Sequence, residues 1–235
     1  RILYMYPDEL SKEMIDRLAE IPKVLPYFDL PLQHGDDSML KAMNRRGDVK
    51  SIKETIAYIR RIHQNAIIRT TMIVGFPGET KKHFEHMLAF IKELKFDRLG
   101  AFTYSKEEDT PAFSFAKEPR ESTKNKRYKE LMMVQQEIAQ HLNESWIGKE
   151  VEVLVEAMDP ITKTAKGRSI HSAPDNIDGV IYVKVKESIK PGSFIKAIID
   201  HAHGHESLHG GLVVGVAERR LDEEPVELRV GQRVG

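Results

Sequence analysis

The sequence has no cysteine among its 235 residues. Disulfides are therefore excluded, as is any metal or cluster held by thiolates of these residues. Neither sign of charge is in excess: 36 lysines and arginines balance 36 aspartates and glutamates. The chain as a whole thus lacks the electrostatic footprint of a nucleic-acid binder, although a local basic face could hide in the average. Long apolar runs are missing too. The longest, 66–74, is interrupted by Arg69, Thr70 and Thr71 and is far too short to span a bilayer. No signal peptide opens the chain. It begins RILYMYP, already inside a strand-like run and without an initiator methionine, which reads as the opening of a piece of a larger protein. What is present is the composition of a globular protein, 40% hydrophobic and 31% charged, with length enough for one large or two ordinary domains.

The first half alternates short apolar runs with helical spacing. Strands are expected at 2–6, 27–32, 67–74 and 98–104. Helices are expected at 11–20, around Met39, Leu40 and Met43, at Ile52, Ile56 and Ile59, and from Thr80 through Phe84, Leu88, Ile91 and Leu94. The run 67–74 is rich in β-branched residues, as in a parallel strand covered on both faces. Such alternation implies right-handed βα units, here part of a TIM-like βα barrel over 1–120. A charged connecting helix follows in 121–147, with Leu131, Val134, Ile138 and Leu142 as its expected buried stripe. Beyond Trp146 the helical period vanishes. Five short strands, at 150–156, 165–170, 179–185, 194–202 and 211–218, separated by Asp-Pro, Pro-Asp, Asp-Gly and Pro-Gly turns, predict a small antiparallel, OB-like barrel over 148–217, followed by a loose charged tail over 218–235. The fold class is therefore α/β with an appended β-barrel.

Two strand ends are chemically unusual, and in parallel αβ folds function sits at the carboxyl ends of strands. The first is PLQHGDD, where Pro31 fixes the backbone before Gln33 and His34; a polar turn capping a helix is the plainer reading. The second is IVGFPGET, with two glycines bracketing Phe76-Pro77. Pro77 has no N–H and no Gly-Lys-Ser/Thr follows, so a phosphate cradle is disfavoured. Val74, Gly75 and Phe76 better suit a flat ring lying on backbone, with simple turn chemistry as the alternative. Arg45 and Arg46 at a helix end fit its dipole, or one could hold a carboxylate. Arg69, in an apolar strand, needs a partner if buried. His201, His203, His205 and His209 permit metal ligation by spacing, but glycines make a turn there and no carboxylate or thiol completes a set. No metal site is assigned.

LPLQH, LKAMNRRG, IRTTMIVGFPGET and LGAFTYSKEEDTPA, in that order, resemble the radical S-adenosylmethionine methylthiotransferases, and the terminal barrel resembles their TRAM domain. The resemblance runs from Arg1 to about Ala217. Within the family, GRSIHSAPDNIDGVIYV (residues 167–183) looks like the branch that methylthiolates an aspartate of small-subunit ribosomal protein twelve. The tRNA-modifying branch usually has Gln-Ser-Gly where this chain has Gln33-His34-Gly35. The resemblance implies that Val74, Gly75 and Phe76 lie against the adenine of S-adenosylmethionine. Gln33, Arg45 and Arg69 are then candidates for its ribose or methionine end.

The family also carries two [4Fe–4S] clusters, one on a CxxxCxxC loop and one in an N-terminal domain. With no cysteine, this chain holds no ligand for either and offers no catalytic residue of its own; it reads as starting near the third barrel strand. The expected partner is ribosomal protein twelve or the assembled small subunit, with tRNA less favoured, in the cytoplasm. Lysines of the terminal barrel are offset by as many acids, which suits a basic protein better than a polyanion. Asp175 and Asp178 are the candidate substrate contacts. The rivals are a tRNA methylthiotransferase and a non-catalytic two-domain binding module.

Overall fold

The computed structural model describes residues 1–174, 178–204 and 212–218. Three parallel strands, β1 (Tyr27–Gln33), β2 (Ile67–Val74) and β3 (Arg98–Thr103), form one sheet in that order. The expected strand at 2–6 is reduced to a single bridge from Ile2 to Phe28. Tyr4 there adopts a left-handed φ of 60°, which an extended ladder cannot continue through.

Helices follow each strand as the periodicity requires. Before β1, Ser11 caps α1 (Lys12–Glu20) by accepting from the Met14 N–H. Asp36 caps α2 (Asp37–Ala42) by accepting from the Ser38 and Met39 N–H groups. Asp48 opens α3 (Val49–Ile62) in a capping box with Ser51, and Thr80 opens α4 (Lys81–Leu94) in another with His83. Leu30, Leu32, Ile68, Met72 and Val74 meet Ile56, Ile59, Phe84, Met87 and Ile91 in one core on the helix side. The other face of the sheet is less covered than the apolar run predicted. Along β2, Arg69, Thr71 and Ile73 alternate as half-buried residues, and Phe102 of β3 is exposed.

The long helix α5 (Glu121–Glu144) packs on α4 and β3 and leads into the second domain. Its buried stripe departs from expectation: Lys124, Leu131, Gln135, Ala139 and Asn143 are inside. Val134 and Ile138 are only partly buried against the core. Apolar spacing misplaced the stripe because three of the five inward positions are polar. Gln135, for example, donates to the Phe96 carbonyl at 2.9 Å.

The second domain is a six-stranded sheet ordered β7-β4-β5-β6-β9-β8. Its strands are β4 (Glu150–Asp159), β5 (Thr164–Arg168), β6 (Gly179–Lys184), β7 (Phe194–Ile198), β8 (Ala202–Gly204) and β9 (Leu212–Glu218). The strand expected over 194–202 is two arms: β7 pairs with β4, and β8 with β9. Between the arms, Ile199 exchanges backbone bonds with Gly148 and Lys149, which carries the β7–β4 pairing past Ile198. The pairs are antiparallel except β6 with β9, which is parallel. Valines and isoleucines of β4, β6 and β7 fill the interior. The tail beyond 218 lies outside the described residues, as do His205 and His209 of the histidine run.

Candidate functional site

At the carboxyl ends of the three strands lies a cleft of about 580 Å³. Ile73, Phe76, Phe102, Tyr104 and Phe115 give it apolar walls, and Gln33, Asn44, Arg45, Thr103 and Glu107 its polar rim. That volume, with aromatic walls and a few convergent polar groups, is the form of a small-molecule site. Phe76 is held edge-on to Tyr104 at 5.2 Å and to Phe115 at 6.1 Å between ring centres. The Tyr104 hydroxyl is buried with no protein partner. Burial, then the nearby Glu118, pushes its pKa up. Arg45 reaches the rim stacked 5.3 Å from the Tyr6 ring centre.

The chain reaches this cleft through distorted backbone. Pairing of β1 with β2 slips between Leu30 and Gln33, and Gln33 takes a φ of 73°, strained for a residue with a side chain. The strain separates two neighbours expected to point together. Gln33 lines the cleft, whereas His34 is fully buried, its Nε2 3.5 Å from Glu79 Oε2. Glu79 is the organising group behind the GFPG turn. Its Oε2 accepts the Gly75 N–H at 2.9 Å, and its Oε1 accepts from Arg127 Nη1 at 2.6 Å.

Gly75 itself has a φ of 79°, which only glycine adopts without strain. The space a Cβ would need is filled by the stem of Lys124. The close approach expected of this glycine is therefore met within the protein by α5. Lys124 Nζ bonds the Tyr104 carbonyl at 3.0 Å and Glu118 and Glu121 at 2.6 Å. Burial alone would lower the Lys124 pKa; the two carboxylates more than offset it and hold the amine charged.

Of the residues singled out in the sequence, Gln33, Arg45 and Phe76 converge on the cleft. Val74 is buried in the core, and Gly75 forms the turn behind Phe76. Arg69 does not converge. It sits near the amino end of β2, five residues or about 16 Å of strand from Val74, with its Nε 4.0 Å from Asp29. Burial would lower its pKa, but Tyr27, Asp29 and Asp178 raise it. Asp178 is likewise not presented to a substrate. It is 2% exposed, accepts the Ala173 N–H at 2.8 Å and takes the Tyr27 hydroxyl. Asp-Gly marked a turn correctly, but a turn acid can be turned inward by a donor from another domain. Asp175 lies outside the described residues. The acids of β4 do not gather as a free face either: Glu150 pairs with Lys196 at 3.6 Å and Glu156 with Arg168 at 2.6 Å. Glu79, Lys124 and Arg127 escaped the sequence reading. For Lys124 and Arg127 the available signal was charge at positions that continue the inward face of α5; Glu79, in the turn before α4, carried none.

Residues 2–91 match the radical SAM superfamily and residues 147–213 the TRAM domain. The fold resembles that of a solved structure: a coproporphyrinogen III oxidase from Escherichia coli, described as a radical SAM enzyme, superposes with a TM-score of 0.50. That match is 20% identical and covers 57% of this chain and 31% of the other. The chain is thus part of a radical SAM barrel joined to a TRAM domain.

More narrowly, it is RimO-like. It is 42% identical over 206 residues to the ribosomal protein uS12 methylthiotransferase RimO of Thermoanaerobacter sp. (strain X514), covering 88% of this chain and 46% of that protein. To the protein of the same name from Crocosphaera subtropica it is 45% identical over 184 residues, 78% of this chain and 42% of the relative. The chain spans about half the length of the curated relatives it matches. No helix among the described residues is long and apolar enough to cross a membrane.

Proposed function

We propose that this chain forms the S-adenosylmethionine-binding part of a cytoplasmic methylthiotransferase that modifies an aspartate β-carbon of ribosomal protein uS12. The observation that carries the reading is the convergence of Gln33, Arg45 and Phe76 on one cleft at the strand ends. The cleft fits the cofactor: aromatic walls for a purine, and an amide and a guanidinium for hydroxyls and a carboxylate. Bound there, S-adenosylmethionine supplies the radical precursor and the methyl group. Phe76 would pack against the base, Arg45 would neutralise the carboxylate, and Gln33 would hydrogen-bond the ribose. Val74 and Gly75 would act from behind, by fixing where Phe76 stands.

The residues present do not fit an iron–sulfur cluster, since none is a thiol. No step is assigned through one. Preference for a protein substrate over tRNA is supported by the uS12 methylthiotransferase relatives; Asp178, turned inward, does not add to it. Calorimetric titration of S-adenosylhomocysteine into the chain tests the cofactor reading, with binding at micromolar concentration expected; no heat at millimolar ligand would refute it. Titrating uS12 and tRNA side by side at near-physiological salt tests the substrate. Tighter tRNA binding with a steep salt slope would move the assignment to the RNA-modifying branch.

A further inference from the structure

We infer that Arg127, on the helix that runs to the terminal barrel, is a positioning residue for the cleft, acting through Glu79 on the Gly75 turn. The inference rests on the cofactor reading above for its functional consequence, but its geometry stands apart from it. Glu79 has a fully buried side chain, and a buried carboxylate is costly unless a counter-charge and donors pair it. Arg127 supplies the charge. Its Nη1 lies 2.6 Å from Glu79 Oε1 and 3.2 Å from the Glu79 carbonyl, with its guanidinium 5.7 Å from the Phe84 ring centre. Glu79 spends its other oxygen on the Gly75 N–H, and its own N–H on the Phe76 carbonyl at 2.9 Å. The turn 75–79 is therefore closed on itself by one carboxylate, and that carboxylate is held by α5.

Lys124, one turn earlier on α5, covers the bare side of Gly75. Phe76, the next residue, is the wall of the cleft. Moving α5 would release the anchor of the turn and its cover together. The helix that contacts β8 of the terminal barrel thus sets the position of an aromatic wall in the cleft. A substrate that shifts the barrel could be felt at the cofactor through this contact.

The test is hydrogen–deuterium exchange on the whole chain, paired with S-adenosylhomocysteine titration. In Arg127→Ala, exchange across 75–79 should accelerate and affinity should fall, each about tenfold, as expected for loss of a charged hydrogen bond. Peptides from α3 and β6 should keep their protection. Arg127→Lys, which restores the charge without the fork, should recover most of both. Unchanged exchange at 75–79, or an acceleration uniform over the chain, would overturn the role. If Arg127→Ala does not fold, the double variant Glu79→Gln with Arg127→Met removes both charges together. Loosening confined to 75–79 then supports the role, and wild-type protection overturns it. Should the unaltered chain bind no S-adenosylhomocysteine, the cofactor reading fails, while the exchange comparison still decides what Arg127 does.

Discussion

The phenol of Tyr27, the first residue of β1, donates to the carboxylate of Asp178, the residue before β6, and neither is more than 2% exposed. Tyr27 also packs with Ile67 and Ala173 in a small apolar cluster. The loop that links β5 to β6 is thereby bonded to the amino-terminal edge of the parallel sheet, at the opposite end from the cleft.

Tyr27→Phe should therefore destabilise the protein by about 1–3 kcal/mol, because Asp178 loses a buried donor. Denaturant unfolding measures this, and a change below a few tenths of a kcal/mol would show that the bond contributes nothing. Burial, then Asp178, raises the Tyr27 pKa. The neutral phenol is favoured in the folded state, so this contribution is complete below the unfolded tyrosine pKa of about 10 and is lost as pH rises above it. The phenylalanine variant should lack that alkaline loss.

His171 makes the complementary acid prediction. Its ring lies tilted against Trp146, 4.4 Å between centres, and burial, then Arg98, Arg1 and Lys149, lowers its pKa to about 4. Folded His171 resists protonation, so the unfolded chain binds the extra proton below about pH 6.5. Stability should fall as pH drops from there toward 4, by on the order of 2–3 kcal/mol. His171→Gln should flatten this limb in denaturant titrations at pH 7, 6, 5 and 4.5. An unaltered slope would assign the acid sensitivity to carboxylates.

Gly167 in β5 leaves no room for a side chain, because a Cβ there would collide with the Leu154 carbonyl and press 2.8 Å from Val153 Cγ1. Gly167→Ala should cost about 1–3 kcal/mol or more through overpacking against backbone. Gly192→Ala meets no atom within 4 Å but has a φ of 92°, and should cost less, about 1 kcal/mol. Thermal melts of the two variants check the order, and the reverse ranking would contradict the packing argument.

Arg45 and Arg69 separate the cleft from the domain contact. Arg45→Ala should weaken S-adenosylhomocysteine binding about tenfold, as for one charged hydrogen bond, with little effect on stability. Arg69→Met should leave affinity within about twofold and cost about 1–3 kcal/mol of stability, since Asp29 loses its nearest cation. Gly75→Val distinguishes nothing here: it would lose affinity through collision with Lys124 whether or not a ring lies on the turn.

Most elements of the sheet were legible because caps and periodicity agreed. Thr80 and the apolar faces of α3 and α4 fall where spacing put them. Gln33 and Phe76 could be picked out because strand ends punctuated by proline and glycine mark themselves, and Arg45 because it stands at a helix end. What was hidden depends on side chains meeting across long sequence separations. Arg127 finds Glu79 over 48 residues, and Tyr27 finds Asp178 over 151. No local pattern records such pairs, since Glu79 and Asp178 lie in turns that have no periodic face. The split of 194–202 into two strands was hidden for the same reason, since β8 is defined only by its neighbour β9.

The parallel pairing of β6 with β9 bears on how the chain is made. β5 pairs with β4 and β6 with β5, each with the strand before, so these three can zip together as they leave the ribosome. The other side of β6 has no partner until residues 212–218 have been synthesised. For that interval the nascent barrel presents an open β6 edge, the kind of template on which strands from other chains add. Its completion then depends on the speed of translation through the segment between Lys184 and Leu212, and a stall there should prolong the exposure of that edge.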